Sequence, residues 1–233
     1  MNTLRNRTLA EIMIWNSSSA TVFKRYGLDY IRFHDNSLES TCKLREDINL
    51  EEICLALEKA AQDQDQYLKL ISSRKLDFMI DYVVNIHHVY LKETIPALLD
   101  RTNIIYAKHK RSYPKLKHLK NQILDLFKNL MRDMHLEERK LYPAYRSLLN
   151  EGEVHSCFGD IKNPTEVVAA SHKQQILAID KLKSLCQQIQ KNKDTNNDEL
   201  TLFCIEVHEF IYYLGRHMHL ESNYIFPKAL KLA

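Results

Sequence analysis

The chain carries one motif twice: Asp133-Met134-His135-Leu136-Glu137 followed by Tyr142-Pro143, and His217-Met218-His219-Leu220-Glu221 followed by Phe226-Pro227. Both copies keep the order Met-His-Leu-Glu and set an aromatic-Pro pair at the same distance from the Glu. A helix advances about 100° per residue, so positions four apart lie one turn up the same face. His217 and Glu221 can therefore grip one ion together, and Asp133 and Glu137 stand at the same offset. His135 and His219 point roughly 160° away from their respective Glu. A chain built on such a duplicated element reads as two helix pairs related by an internal repeat.

The rest of the sequence supports helices throughout. Four Gly and five Pro in 233 residues leave little material for hairpin turns, and Leu, Lys, Glu, Ile and Ala dominate. The expected fold class is all-α. Four long periodic segments are each long enough to span a bundle: about Leu76 to Leu99, Leu116 to Leu149, Pro164 to Gln190, and Asp198 to Pro227. In the first, Ile80, Val83, Val84, His87, His88 and Leu91 recur at helical spacing, and Pro96 marks a kink or tightening. Pro143 predicts a break or kink in the second. Short connections between such segments fit an antiparallel four-helix bundle.

Ahead of them, shorter helices are predicted around Leu9 to Ile14, Ser18 to Tyr26, and Leu50 to about Ala61. The stretch from Glu46 to Glu52 supplies an N-cap and an acidic first turn for the last of these. Polar Gln62 to Gln66 is expected to begin a linker. The expected domains are therefore residues 1–66, small and helical, and 67–233, the bundle.

A hydrophobic content of 45% and a charged content of 27% describe a globular protein with a substantial core. The net charge of +3 is too small to argue for nucleic acid, and the lysines between Lys108 and Lys120 read as a solvated loop and helix start. No apolar run reaches the roughly 18 residues of a membrane span, and the N-terminus lacks the apolar core of a signal peptide. The cytoplasm is the expected location. Cysteines 42, 54, 157, 186 and 204 are scattered without a Cys-x-x-Cys pair, which favours buried thiols over a disulfide framework or a thiolate zinc site.

A metal site between all four long segments needs donors from the first and third as well. The first offers His87 or His88. The third offers His172, bracketed by apolar positions 168, 169, 176 and 179. One His from each of these, joined to an acid-plus-partner pair from each motif copy, suits two metal ions bridged by two carboxylates. Imidazole and carboxylate without thiolate favour iron, with manganese and zinc as competitors.

These segments resemble the iron-sulfur cluster repair di-iron proteins, the repair of iron centres family, in which a hemerythrin-like bundle follows a small N-terminal domain. Asn85-Ile86-His87-His88 through Pro96 looks like the family's first ligand segment, and counting back from the Pro selects His88. Ser171-His172 looks like the third-helix ligand, and His217 through Pro227 is similar to the final signature. The resemblance implies two iron ions, oxo- or hydroxo-bridged, held by His88, Asp133, Glu137, His172, His217 and Glu221. Two departures stand out. Asp133 occupies a position where the family has His, and Ile31-Arg32 stand where the N-terminal domain has an adjacent Cys-Cys pair. Cys42 downstream is a single thiol and cannot replace a dithiol.

What the resemblance implies is a stress-response protein that restores iron-sulfur clusters damaged by nitric oxide or oxidants, with damaged iron-sulfur proteins as partners and O2 or NO as small ligands. The alternative is a hemerythrin-like sensor or carrier that binds O2 or NO without turnover. An oxidase or NO-reducing activity at the same centre and a bundle that has lost its metal complete the readings, and no catalytic residue is assigned. His135 and His219 are expected to pack or hydrogen-bond, with either a substitute ligand if Asp133 does not bind. His87 is expected in the core, and His208 to face away from the site. Glu138 reads as solvated or as a neighbour of the ligands. A homodimer through an apolar face of the N-terminal domain is the one self-association suggested.

Overall fold

A computed structural model describes residues 2–15, 18–30, 33, 36–45, 47–154, 159–190 and 198–233. Among them there are helices and one isolated bridge between Thr8 and Ser37, but no strand. The chain divides into two compact units, Met1–Leu70 with Lys193–Tyr212, and Ile71–Asn192 with Tyr213–Ala233.

The first unit contains α1 (Asn2–Arg5), α2 (Leu9–Trp15), α3 (Ser19–Arg25), α4 (Leu38–Lys43) and most of α5 (Leu50–Ser72). Short polar side chains start α2, α4 and α5 by satisfying amides that have no partner within the helix. Thr8 and Glu11 exchange backbone-to-side-chain hydrogen bonds of 2.9 and 3.1 Å, a capping box that opens α2. Ser37 Oγ accepts from the Ser40 amide, and Asn49 Oδ1 accepts from the Glu51 amide at 2.9 Å, which is the cap expected for α5. Leu9, Ile12, Phe23, Leu38, Ile53 and Leu57 are fully buried in one cluster that Ile205 joins.

The polar run Gln62 to Gln66, where a linker is expected to begin, is helical. The helix α5 continues through it to Ser72, since Gln and Asp without Gly or Pro interrupt nothing. Cys42 and Cys54 lie in the first unit's core as free thiols. Burial pushes the Cys42 thiol up to about 11, so it is no nucleophile at neutral pH. Ile31-Arg32 lies outside the described residues.

The second unit is the four-helix bundle. Its first long segment is α6 (Leu76–Tyr82), a π-helical turn π1 (Val83–His88) and α7 (Val89–His109), which carries Pro96 inside and runs past the expected end at Leu99. The second is α8 (Leu116–Leu136), π2 (Glu137–Leu141) and α9 (Tyr142–Glu151). The third is α10 (Lys162–Gln190). The fourth is α11 (Asp198–Leu220), whose residues from Tyr213 onward belong to this unit, followed by π3 (Glu221–Ile225) and α12 (Phe226–Leu230).

On α8 the buried positions Leu116, Leu119, Ile123, Leu126, Phe127, Leu130, Asp133 and Met134 follow the three-four spacing of one helix face. That spacing delivers Asp133 and Glu137 to the interior. At the rim, Arg146 pairs with Asp77 and Asp81, and Lys228 Nζ donates to the carbonyls of Ser72 and Arg74.

Pro143 does not break its segment. The amide of Tyr142 donates to the Glu137 carbonyl five residues back, and the amide of Phe226 does the same to Glu221. The π turn widens the helix by one residue ahead of each proline, and the proline then falls at the start of the next α-helix, where its missing N–H is not needed. No helix among the described residues is long and apolar enough to cross a membrane.

Candidate metal centre

Each π turn meets a candidate ligand: π1 ends on His88, π2 begins at Glu137 and π3 begins at Glu221. A π turn shifts the phase of the side chains beyond it, and such turns concentrate at functional sites. Here they bring His88, Glu137, His217 and Glu221 together, with one donor atom from each lying within 4.8 Å of all the others. All four are fully buried. His88 Nε2 is 3.4 Å from Glu137 Oε2 and 3.8 Å from Glu221 Oε1, and His217 Nε2 is 3.1 Å from Glu221 Oε2. His172 faces the same two carboxylates, its Nε2 3.6 Å from Glu137 Oε1 and 3.4 Å from Glu221 Oε2.

These donor atoms lack ordinary partners. His88 Nε2, both Glu137 oxygens, Glu221 Oε2 and both His217 ring nitrogens make no hydrogen bond. Each buried polar atom left so costs about 1–3 kcal/mol. A convergent set of them around two carboxylates fits a cation cluster, which would satisfy the lone pairs that no donor reaches. The electrostatics agree. Burial, joined by the Glu221 charge, pushes the Glu137 carboxyl up to about 7, whereas His217 and the other imidazoles hold Glu221 low against its own burial. Burial lowers His217 to about 3, so its imidazole is neutral, the form that binds metal.

The second ring nitrogens of His88 and His172 are held. His88 Nδ1 donates to Glu138 Oε1 at 2.7 Å, and Lys92 Nζ holds that carboxylate at 2.6 and 2.8 Å. His172 Nδ1 lies 3.0 Å from Ser222 Oγ. Each arrangement turns Nε2 toward the carboxylates as the free donor. The Tyr142 hydroxyl donates to Glu221 Oε1. Of the two readings of Glu138, the structure gives the neighbour of the ligands, while Ser222 and Tyr142 are partners of the site that sequence reasoning missed. Their one signal is position, since each is adjacent to a Glu of the repeat or fills its aromatic-Pro pair.

Asp133 is buried but does not share the orphaned state of the others. Its Oδ2 accepts from the Ser171 hydroxyl and from Gln175 Nε2 at 2.6 Å, while Arg132 lies 3.4 Å from Oδ1. His87 is buried with its ring 5.2 Å from Tyr82 and 5.0 Å from Tyr213. His135 and His219 are exposed, and His219 meets Asn223 and Tyr224. His208 belongs to the first unit, where its Nδ1 donates to the Cys204 carbonyl at 2.6 Å.

Four helices delivering imidazole and carboxylate donors to one buried point define a cation-binding helical bundle. The chain belongs to the hemerythrin HHE cation binding domain family, which matches residues 79–229. Beyond that domain it is similar along 97% of its length to the iron-sulfur cluster repair protein YtfE of Pectobacterium carotovorum subsp. carotovorum, at 25% identity over 228 residues that cover 98% of the relative. The YtfE proteins of Musicola paradisiaca, at 25% identity, and Yersinia pestis, at 24%, match the same share of this chain. The resemblance to iron-sulfur cluster repair proteins expected from the motifs is thereby found across both units.

Proposed function

We propose that this chain is a non-haem di-iron protein that takes part in repairing iron-sulfur clusters damaged by nitric oxide or oxidative stress. The single observation that carries the metal reading is the set of orphaned, fully buried donors on His88, Glu137, His217 and Glu221. The repair reading rests on relatives of that name that match nearly the whole chain. His88, His172 and His217 would supply the imidazole donors to such a centre, and Glu137 and Glu221, each facing more than one of them, the carboxylates. Asp133 is the sixth residue of the set, and its carboxylate is committed to Ser171 and Gln175.

Bound iron would supply redox chemistry and positions open to O2 or NO. The protein's own part is to exclude water from the centre, to fix the imidazoles through Glu138 and Ser222, and to hold a proton on Tyr142 Oη against Glu221. Burial, with the Glu221 and Glu137 charges, raises the Tyr142 phenol well above its ordinary value, so that proton stays in place. We further propose residues 1–66 as a domain distinct from the bundle at 67–233, a cytoplasmic location, damaged iron-sulfur proteins as partners, and self-association through the N-terminal domain.

The test is anaerobic reconstitution with ferrous iron, followed by addition to a hydratase whose four-iron cluster has been damaged with NO. About two irons per chain are expected, with hydratase activity restored by wild type and not by Glu221→Ala. A fully loaded protein that restores nothing, while its spectrum changes reversibly with O2, would make it a carrier instead.

A further inference from the structure

We propose that Asp133 stands outside direct metal coordination and serves the His172 side of the centre through a water molecule, so that the two metal positions are unequal. The inference rests on the di-iron reading above and concerns how this chain's own residues divide the site.

The six residues fall into three states. His88, Glu137, His217 and Glu221 converge within 4.8 Å and carry the orphaned donors. His172 reaches both carboxylates from its own helix but is not one of that group. Asp133 is as buried as His172, at 3% exposure, yet its carboxylate is already hydrogen-bonded through Oδ2. A carboxylate oxygen offers about two lone-pair directions. Oδ2 uses them on the Ser171 hydroxyl and on the 2.6 Å bond from Gln175 Nε2. Oδ1 faces the guanidinium of Arg132 at 3.4 Å. Hydrogen bonds and a neighbouring cation both withdraw the charge that a metal ion would seek, and the carboxylate cannot turn toward one without breaking them.

Gln175 supplies an independent observation. Its side chain is 2% exposed, its amide nitrogen is fixed by the bond to Asp133, and its Oε1 has no hydrogen-bond partner. A carboxylate accepts only, so the amide cannot be reversed to relieve this. A buried amide oxygen in that state calls for a donor. A metal-bound water beside His172 is such a donor, with one proton available to Gln175 Oε1 and one to Asp133 Oδ1, which the long 3.4 Å contacts with Arg132 leave able to accept. Ser171, Gln175 and Asp133 are thus positioning residues: they orient a water where a direct protein ligand would otherwise sit.

The consequence is a centre with a tight and a labile half. The first position has two imidazoles, His88 and His217, besides the shared carboxylates. The second has His172 alone as its terminal protein donor, and a water that leaves readily. With one direct protein donor fewer, the second iron should leave faster than the first.

The experiment is anaerobic loading of the full chain with ferrous iron and challenge with ferrozine, following release by absorbance and the bound iron by Mössbauer spectroscopy. Wild type should release iron in two phases of equal amplitude and show two ferrous doublets. Asp133→Asn keeps the shape and an acceptor for Ser171 and Gln175 but is a poor ligand and offers an NH2 where the water needs an acceptor, so it should still hold both irons while the fast phase alone quickens by about tenfold. His172→Ala should lose the fast-releasing iron alone. Single-phase release from wild type, or loss of one iron in Asp133→Asn comparable to His172→Ala, would overturn the inference while leaving the di-iron reading intact. Failure of wild type to bind iron would overturn both.

Discussion

Removing Glu138 should weaken the metal centre even though the residue donates nothing to a metal ion. Its Oε1 accepts from His88 Nδ1 at 2.7 Å, and Lys92 grips both of its oxygens. Burial pushes the Glu138 carboxyl up, but Lys92 and His88 outweigh it and hold the group below its ordinary value, so the acceptor is anionic. A hydrogen bond to a charged group contributes about 1.5–3 kcal/mol when shielded. With the Glu138 side chain 22% exposed, the lower half of that range applies. Loss of such an imidazole partner costs about 10–100-fold in metal affinity, or about 1.4–2.7 kcal/mol, and the two routes overlap near tenfold to thirtyfold.

Glu138→Ala should therefore weaken ferrous binding by about that factor in anaerobic competition titrations. Glu138→Gln keeps an acceptor for Nδ1 and loses only the half-exposed pair with Lys92, of about 0.2–1 kcal/mol, so it should stay within about fivefold of wild type. Lys92→Met should resemble Glu138→Gln. An Ala variant within about twofold of wild type would refute the claim that Glu138 orients His88. A Gln variant as weak as Ala would replace orientation with charge as the cause.

Three further outcomes are expected. Ferrous iron at about a hundredfold above its dissociation constant should stabilise the protein by about 2.7 kcal/mol and raise the thermal midpoint by about 5–11 °C, read by circular dichroism; a chelator should reverse it, and Glu221→Ala should show no rise. Leu57→Ala in the first unit's fully buried cluster should cost about 2–5 kcal/mol in urea unfolding, and a change below about 1 kcal/mol would mean that the cluster does not hold that unit together. Burial, with Arg216 adding to it, lowers His87 to about 4, so the folded metal-free protein refuses a proton that the unfolded chain takes below about 6.5. Wild type should then lose up to about 3 kcal/mol relative to His87→Phe as pH falls from about 6.5 to 4, and parallel pH profiles would contradict a buried neutral ring.

Much of the bundle was legible because helical periodicity is a local property. The apolar faces of α8 and α10 and the Asn49 cap follow from spacing and residue type alone, and their elements begin close to where the sequence places them. The helix through Gln62 to Gln66 was not legible, because polarity reports exposure and not chain conformation. The π turns were hidden for a different reason. Pro143 and Pro227 announce that a regular helix cannot continue, but a kink, a break and a π turn all satisfy that rule. Only packing against neighbouring helices selects the turn that keeps both flanking segments in the bundle.

The sequence by itself determined the helical class, the internal repeat, and the chemical identity of the donors, since those depend on residue type and on offsets of four. Tertiary structure decided which donors are free. His88 turns inward because Glu138 and Lys92, 46 residues apart, hold its other nitrogen, and Asp133 is tied up because α10 presents Ser171 and Gln175 to it. Hydrogen bonds between residues distant in the chain leave no periodic trace in a sequence, so the difference between a carboxylate that waits for a metal and one already satisfied appears only when the helices pack.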